Sequence, residues 1–303
     1  KGGVLVIYCL NSTKFLYGKS AADWDLQDGS DTSGAYAGSV CEAPNGDVLA
    51  IDERGLMPLQ ATQSFGDFES ASISQRIDQF LKRRRRMLVG CVPVKDKAQY
   101  RAFYSDGLGF TLTYRGDRLA GYSFFRLPVV PTCLFAGEDA NGNAMLLMGA
   151  ANGFVYRLDV GYSYDGIAIE HILRLASDSC GSPRVLKQFL SGSLQIVAPR
   201  PVSVLVKPEF DYSLTEADIA QTVGAQRSVL SDAWDVANWD ELAWDVGDER
   251  GSITYPEFNI DGNGLAISLV IYHGGEIKPP ITIESGIYNF NNRGQRPRGG
   301  FGL

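Results

Sequence analysis

Short runs that alternate apolar with polar residues dominate this chain, and they restrict it to a β fold before anything else is considered. Phe110, Leu112 and Tyr114 fall on one face of a candidate strand, and Phe154, Tyr156, Leu158 and Val160 on one face of another. Val202, Val204 and Val206 form a third such set, and Ile267, Leu269 and Ile271 a fourth. Side chains of an extended strand point to opposite faces in turn, so a period of two presents each set to a core. Gly, Asn, Asp or Pro bounds each run, as expected where strands end in turns. Unbroken apolar runs at 4–8, 48–51 and 145–148 suit strands buried on both faces. Thirty-four glycines and fourteen tyrosines agree with many short strands joined by tight turns.

One stretch departs from this pattern. Ile73, Ile77, Phe80 and Leu81 have helical spacing and lead into Lys82, Arg83, Arg84, Arg85 and Arg86. This predicts a short amphipathic helix whose last turn carries cations, favourable for the negative end of its dipole. The basic run is either a contact for phosphate or an acidic partner, or a solvated helix end beside Asp78.

An internal echo suggests how the strands are organised. Asn45-Gly46-x-Val48-x-x-x-Asp52 returns as Asn152-Gly153-x-Val155-x-x-x-Asp159, with Asp106-Gly107 as a looser relative. Asn-Gly supplies the positive φ of a tight hairpin, and the strand after it carries apolar residues into a core. The separation of the copies is roughly twice the ~40–50 residues of one propeller blade. An all-β chain of this length therefore suits a β-propeller of about six four-stranded blades, with a short helix and an extended C-terminal tail; a β-sandwich fits the same echo. On the propeller reading, residues 1–230 hold blades, 231–290 a Trp-rich loop and closing strands, and 291–303 an Arg/Gly-rich tail.

Several chemistries find little support. Cys9, Cys41, Cys91, Cys133 and Cys180 are widely spread and without a CxxC pair, which points to reduced, mostly buried thiols and no metal framework. His171 and His273, about a hundred residues apart, offer no obvious metal pair, and His171 in IEHILRL reads as a strand residue. Asp261 with Asn263, and Glu138-Asp139 with Asn141 and Asn143, have the composition of calcium loops but lack the closing glutamate. No GxSxG, HExxH, P-loop or GxGxxG pattern occurs, so no catalytic residue, cofactor or metal is expected and the chain does not read as an enzyme. No run approaches the ~20 apolar residues of a membrane-spanning helix. A net charge of −7 disfavours a surface that grips nucleic acid, yet suits a wall along which DNA slides.

Trp234-Asp235, Trp239-Asp240 and Trp244-Asp245 are spaced five apart. That spacing scatters the rings around a helix and splits them between the faces of a strand, so Trp234, Trp239 and Trp244 belong to a folded loop pinned by its aromatics. The loop packs on its own domain or on a neighbour. Arg293, Arg296 and Arg298 lie in the segment NNRGQRPRGG, which is too poor in apolar residues to fold alone and reads as a docking tail.

Taken in order, these motifs carry a resemblance. Val89-Gly90-Cys91, Gln99-Tyr100-Arg101 and Tyr104-x-Asp106-Gly107 come first. Then follow Gly153-Phe154-Val155-Tyr156-Arg157-Leu158-Asp159-x-Gly161-x-Ser163-x-Asp165-Gly166 with Ile169, and Gly181-Ser182-Pro183 with Lys187. The Trp-Asp triplet, Gly262-x-Gly264, Pro279-Pro280 and the Arg-Gly-rich end complete the series. Across roughly 85–300 the chain resembles the β-propeller nozzle, or packaged-DNA-stabilising, proteins of short-tailed bacteriophages. The resemblance implies a structural virion protein, located in the virion tail and assembled in the host cytoplasm. It implies a self-associated ring, commonly six subunits, below the portal and adaptor proteins, with tail fibres as further neighbours. Such a ring continues and closes the DNA channel, retains the packaged genome, allows its ejection and reads no DNA sequence. It also places the Trp loop and the Arg-Gly tail on the propeller or on a neighbouring subunit, while the basic run at 82–86 is an interface candidate with no counterpart in the resemblance. The alternative is a carbohydrate-binding or carbohydrate-active propeller, its Trp rings stacked on sugars beside two carboxylates. A peptide-binding scaffold would show regular repeats of ~40–45 residues.

Overall fold

The computed structural model describes residues 4–59, 72–198, 203–212, 221–224, 252–274 and 281–295. It is mostly β, with strands making up 58% and helices 6%. Two compact units divide the chain, Lys1–Val160 and Gly161–Leu303.

In the first unit every sheet is a meander, each strand pairing antiparallel with the next in sequence. The first sheet holds β1 (Leu5–Tyr8), β2 (Thr13–Tyr17) and β3 (Asp25–Ser30); the second β4 (Cys41–Glu42), β5 (Val48–Ile51) and β6 (Leu56–Pro58). The third holds β7 (Leu88–Val94), β8 (Gln99–Tyr104), β9 (Leu108–Arg115) and β10 (Arg118–Arg126). The fourth holds β11 (Pro131–Glu138), β12 (Ala144–Ala150) and β13 (Val155–Leu158). The expected helix is α1 (Asp78–Arg84), entered and left through single 3₁₀ turns. Ile77 and Leu81 on its apolar face join Leu49, Ile51, Leu56, Tyr100, Tyr104, Phe110 and Leu112 in one core. Phe80 meets Tyr104 and Phe110 edge-on, at 5.5 and 6.1 Å between ring centroids.

The hairpins repeat one hydrogen-bond pattern. The amide of Gly46 bonds Ala43 O at 2.9 Å and that of Gly153 bonds Ala150 O at 3.0 Å. Asn45 and Asn152 each accept, on Oδ1, the amide two residues ahead at 3.2 Å. Gly107 and Gly142 do the same in turns led by Asp106 and Asn141. In all four the glycine alone takes the positive φ, between 74° and 87°. These are three-residue loops with a left-handed glycine, and not the two-residue turn that Asn-Gly most directly suggests.

Two sequence expectations shift here. The run at 4–8 gives a strand, β1, whose residues are exposed or half-buried, and none of them belongs to a core cluster. Phe154 and Val160 lie beyond the ends of β13 and are exposed, leaving Tyr156 and Leu158 as its inward pair.

The second unit is built differently. After the small hairpin β14 (Ser163–Tyr164) and β15 (Ile167–Ala168), strand order no longer follows sequence. One sheet runs β16 (His171–Arg174), β22 (Ile267–His273), β18 (Ser203–Phe210), β19 (Gln221–Gly224). The other centres on β17 (Val185–Ala198), flanked on one edge by β23 (Thr282–Gln295) and on the other by β20 (Ser252–Thr254) and β21 (Glu257–Gly264). Phe189, Leu194, Ile196, Phe258 and Ile260 from the second sheet pack against Val204, Val206, Ile267, Leu269 and Ile271 from the first, so the core lies between two layers. Register slips between Phe189 and Ser191 on both edges of β17. This bulge throws Leu190 outward and changes the inward positions from Lys187 and Phe189 to Gly192, Leu194 and Ile196. Gly262 is a strand residue opposite Phe189. A Cβ on it would stand only 2.3 Å from Cε2 and Cζ of Phe210, which explains the glycine.

Candidate functional site

The basic run separates into structural and outward members. Arg84 Nε donates to Asp106 Oδ2 at 2.7 Å, and its guanidinium lies 4.6 Å above the Phe80 ring. Asp106 Oδ1 at the same time accepts the Leu108 amide at 3.2 Å, so this arginine pins the β8–β9 hairpin to α1. Arg85 Nη1 donates to Glu53 O at 3.1 Å, and Lys82 pairs with Asp78 at 2.6 Å. Arg83 and Arg86 are exposed and make no ion pair with the described residues. Only these two of the four arginines keep their heads for an external contact.

The aspartates that close the sequence echo both end on guanidinium groups. Asp52, buried, accepts Arg54 Nη2 at 3.1 Å, the Gly55 amide at 3.1 Å and Ser33 Oγ at 3.3 Å. Asp159 takes a left-handed φ of 63° just after β13 and accepts Arg101 Nη1 at 2.7 Å and Lys97 Nζ at 2.8 Å. Burial alone would raise the Asp159 carboxyl, but the bonds to Arg101 and Lys97 outweigh it and hold the group below its usual range. Beside this ion triad lies a cleft of about 230 Å³, lined by Lys95, Glu138, Met145 and Arg157 among others. The pairing ties the fourth meander to the third.

The loop of Asp139, Asn141 and Asn143 is a hairpin tip. Asp139 Oδ1 accepts the amides of Asn143 at 2.9 Å and Asn141 at 2.8 Å, and these bonds hold its carboxyl low. Asp261 and Asn263 stand in β21, so neither set forms a calcium loop.

The thiols also differ from expectation. Cys9 and Cys133 are exposed, Cys91 and Cys180 half-buried and only Cys41 buried, because spacing along the chain says nothing of depth in thin sheets. Burial pushes the Cys41 thiol up to about 12, which makes it unreactive. No group of three or more His, Cys, Asp or Glu able to hold a metal occurs among the described residues.

Strand pairing produces one arrangement that sequence distance concealed. His171 and His273 are registered partners across β16 and β22, with ring centroids 6.0 Å apart and planes 13° apart.

Arg293 lies in β23, where its guanidinium donates to Gln188 Oε1 on β17, Nε at 2.8 Å. The segment expected as a tail from 291 onward thus begins as a paired strand of its own unit. Trp234, Trp239, Trp244, Arg296 and Arg298 lie outside the described residues. No described helix is long and apolar enough to cross a membrane. No family model matches the chain, and no curated protein does either.

Proposed function

We propose that this chain is a structural tail protein of a short-tailed bacteriophage, a subunit of the nozzle ring that continues and closes the DNA channel. The observation that carries the reading lies in the run on which the resemblance chiefly rests. Along 153–167, Phe154, Val155, Val160, Tyr162 and Ile167 are each more than half exposed. Large apolar side chains concentrated at the surface in so short a run are characteristic of subunits that bury them on assembly. Arg83 and Arg86 add two cations free for an acidic neighbour.

The four meanders of the first unit are, on this reading, propeller blades, since consecutive antiparallel strands are how a blade is made. The crossed strand order of the second unit does not suit blades, so the six-blade count is not retained. The sandwich is a separate module, and the protein acts by fitting together and not by catalysis. The carbohydrate alternative depends on tryptophans beyond the described residues, and no specific observation favours it.

Native mass spectrometry and negative-stain imaging of the full chain test the reading. A closed ring, alone or on an adaptor ring, is the expected result, and Val155→Glu should reduce the particle to monomers that keep their circular dichroism. A wild-type chain that stays monomeric at all concentrations and joins no tail assembly overturns it.

A further inference from the structure

The two histidines of the chain are its only ones, and the sheet places them side by side. Antiparallel partners project their side chains to the same side with Cβ atoms about 4.5–5.5 Å apart. His171 sits on β16, the outer strand of its sheet, with all four residues of that strand exposed. His273, 9% exposed, is seated at the end of the central strand β22. An open imidazole therefore faces an anchored one, and this geometry sets the requirement for a chelate. His273 is held by its burial, and His171, on the open edge strand, has room to turn toward it.

We propose that His171 and His273 form a two-histidine site for a borderline divalent transition-metal ion, taking Cu²⁺ in preference to Ni²⁺ or Zn²⁺, with water completing the coordination. Imidazole nitrogens bind such ions at about 2.0–2.1 Å, so two donors on one ion stand roughly 3–4 Å apart. Rings with centroids 6.0 Å apart reach that spacing by turning about χ1 and χ2. Only neutral imidazole can donate. Glu170 does not join the site, because it bonds Tyr272 on the opposite side of the sheet. With two protein ligands there is no closed cage to select zinc, so preference follows the intrinsic order of imidazole affinities, in which Cu²⁺ leads. The bound ion ties the edge strand to β22 across residues far apart in sequence. The inference is independent of the assembly reading, since it uses only residues within one subunit.

The test is a Cu²⁺ titration of the full chain, with the surface thiols Cys9 and Cys133 alkylated so that they neither bind nor reduce the ion. One equivalent should bind, with nitrogen hyperfine splitting in the electron paramagnetic resonance spectrum and a rise in melting temperature. His171→Gln and His273→Gln should each weaken binding at least about tenfold and remove the splitting, since each deletes one of two ligands. His171 is on the surface, so its variant tests the idea even if the other disturbs folding. Absence of saturable binding, an unchanged spectrum in His171→Gln, or tighter binding of Zn²⁺ than of Cu²⁺ overturns the proposal.

Discussion

The two units are both made of antiparallel strands but close their cores by opposite routes. In Lys1–Val160 each strand pairs with its sequence neighbour, so the sheets are assembled from hairpins whose turns are specified locally. In Gly161–Leu303 the central strand β17 takes its partners from β20, β21 and β23, all much later in the chain. Local pairing costs little loop-closure entropy and distant pairing costs more, so the second unit depends more heavily on individual fastening groups.

The sharpest break in that comparison is Lys187. Its ammonium is buried and donates to Ser182 O at 2.7 Å, Val185 O at 3.0 Å and Leu265 O at 3.3 Å, joining the entry of β17 to the turn between β21 and β22. Lys187→Met keeps the stem but removes the ammonium's bonds to three carbonyls, of which Ser182 O still accepts the Val185 amide at 3.4 Å, and should cost about 3 kcal/mol. Denaturant unfolding should show that loss in the second unit alone. An unchanged unfolding midpoint would show that the ammonium is not a fastening group.

Gly262→Ala comes next. The added methyl meets the half-buried Phe210 ring at the edge of the core, and overpacking of this kind costs about 2 kcal/mol. Thermal melts of the variant, with near-ultraviolet dichroism to follow Phe210 and its neighbours, measure it.

In the first unit the effects should be smaller and more local. Asp159→Asn removes a partly exposed ion triad worth about 1 kcal/mol. Because the folded carboxyl is held below its ordinary value of 3.8, its contribution is complete above that pH and disappears as pH falls through the lower folded value. The variant should therefore flatten the acid limb of the stability curve; an unaltered limb would mean that other carboxylates govern it. Ala98 is the smallest case. It occupies the glycine place of the β7–β8 turn, bonding Lys95 O at 3.1 Å with φ of 49°. Ala98→Gly relieves left-handed strain and should stabilise by roughly 0.5 kcal/mol after the entropy of glycine is subtracted. Destabilisation would show that the methyl packs usefully.

What the sequence made legible follows the same division. Alternation at Phe110, Leu112 and Tyr114 marked β9, helical spacing marked α1, and Asn-Gly located two of the four like hairpins. Asp106-Gly107 marked a third as a looser relative of the echo, and Asn141-Gly142 carried the signal of the fourth, obscured by its likeness to a cation loop. In the second unit the individual strands showed, but their partners did not, because nothing in a local pattern says which distant strand comes alongside. The bulge at Leu190 also breaks the alternation that would have declared β17 a single strand of fourteen residues. His171 and His273 were missed for the same reason, since their meeting is a property of register. β3 was missed for another, its exposed Asp-Leu-Gln-Asp-Gly-Ser carrying no apolar rhythm.

The long ribbon of β17 and β23 has a mechanical consequence. Val185 lies opposite Gln295 at one end, and Val197 opposite Thr282 at the other. Tension applied between Ala198 and Gln295 pulls the strands past each other and loads their cross-strand bonds together. Tension between Val185 and Gln295 enters at one end and peels the same bonds in succession. A pull on the C-terminal end is thus resisted or yielded to according to where the rest of the chain is held.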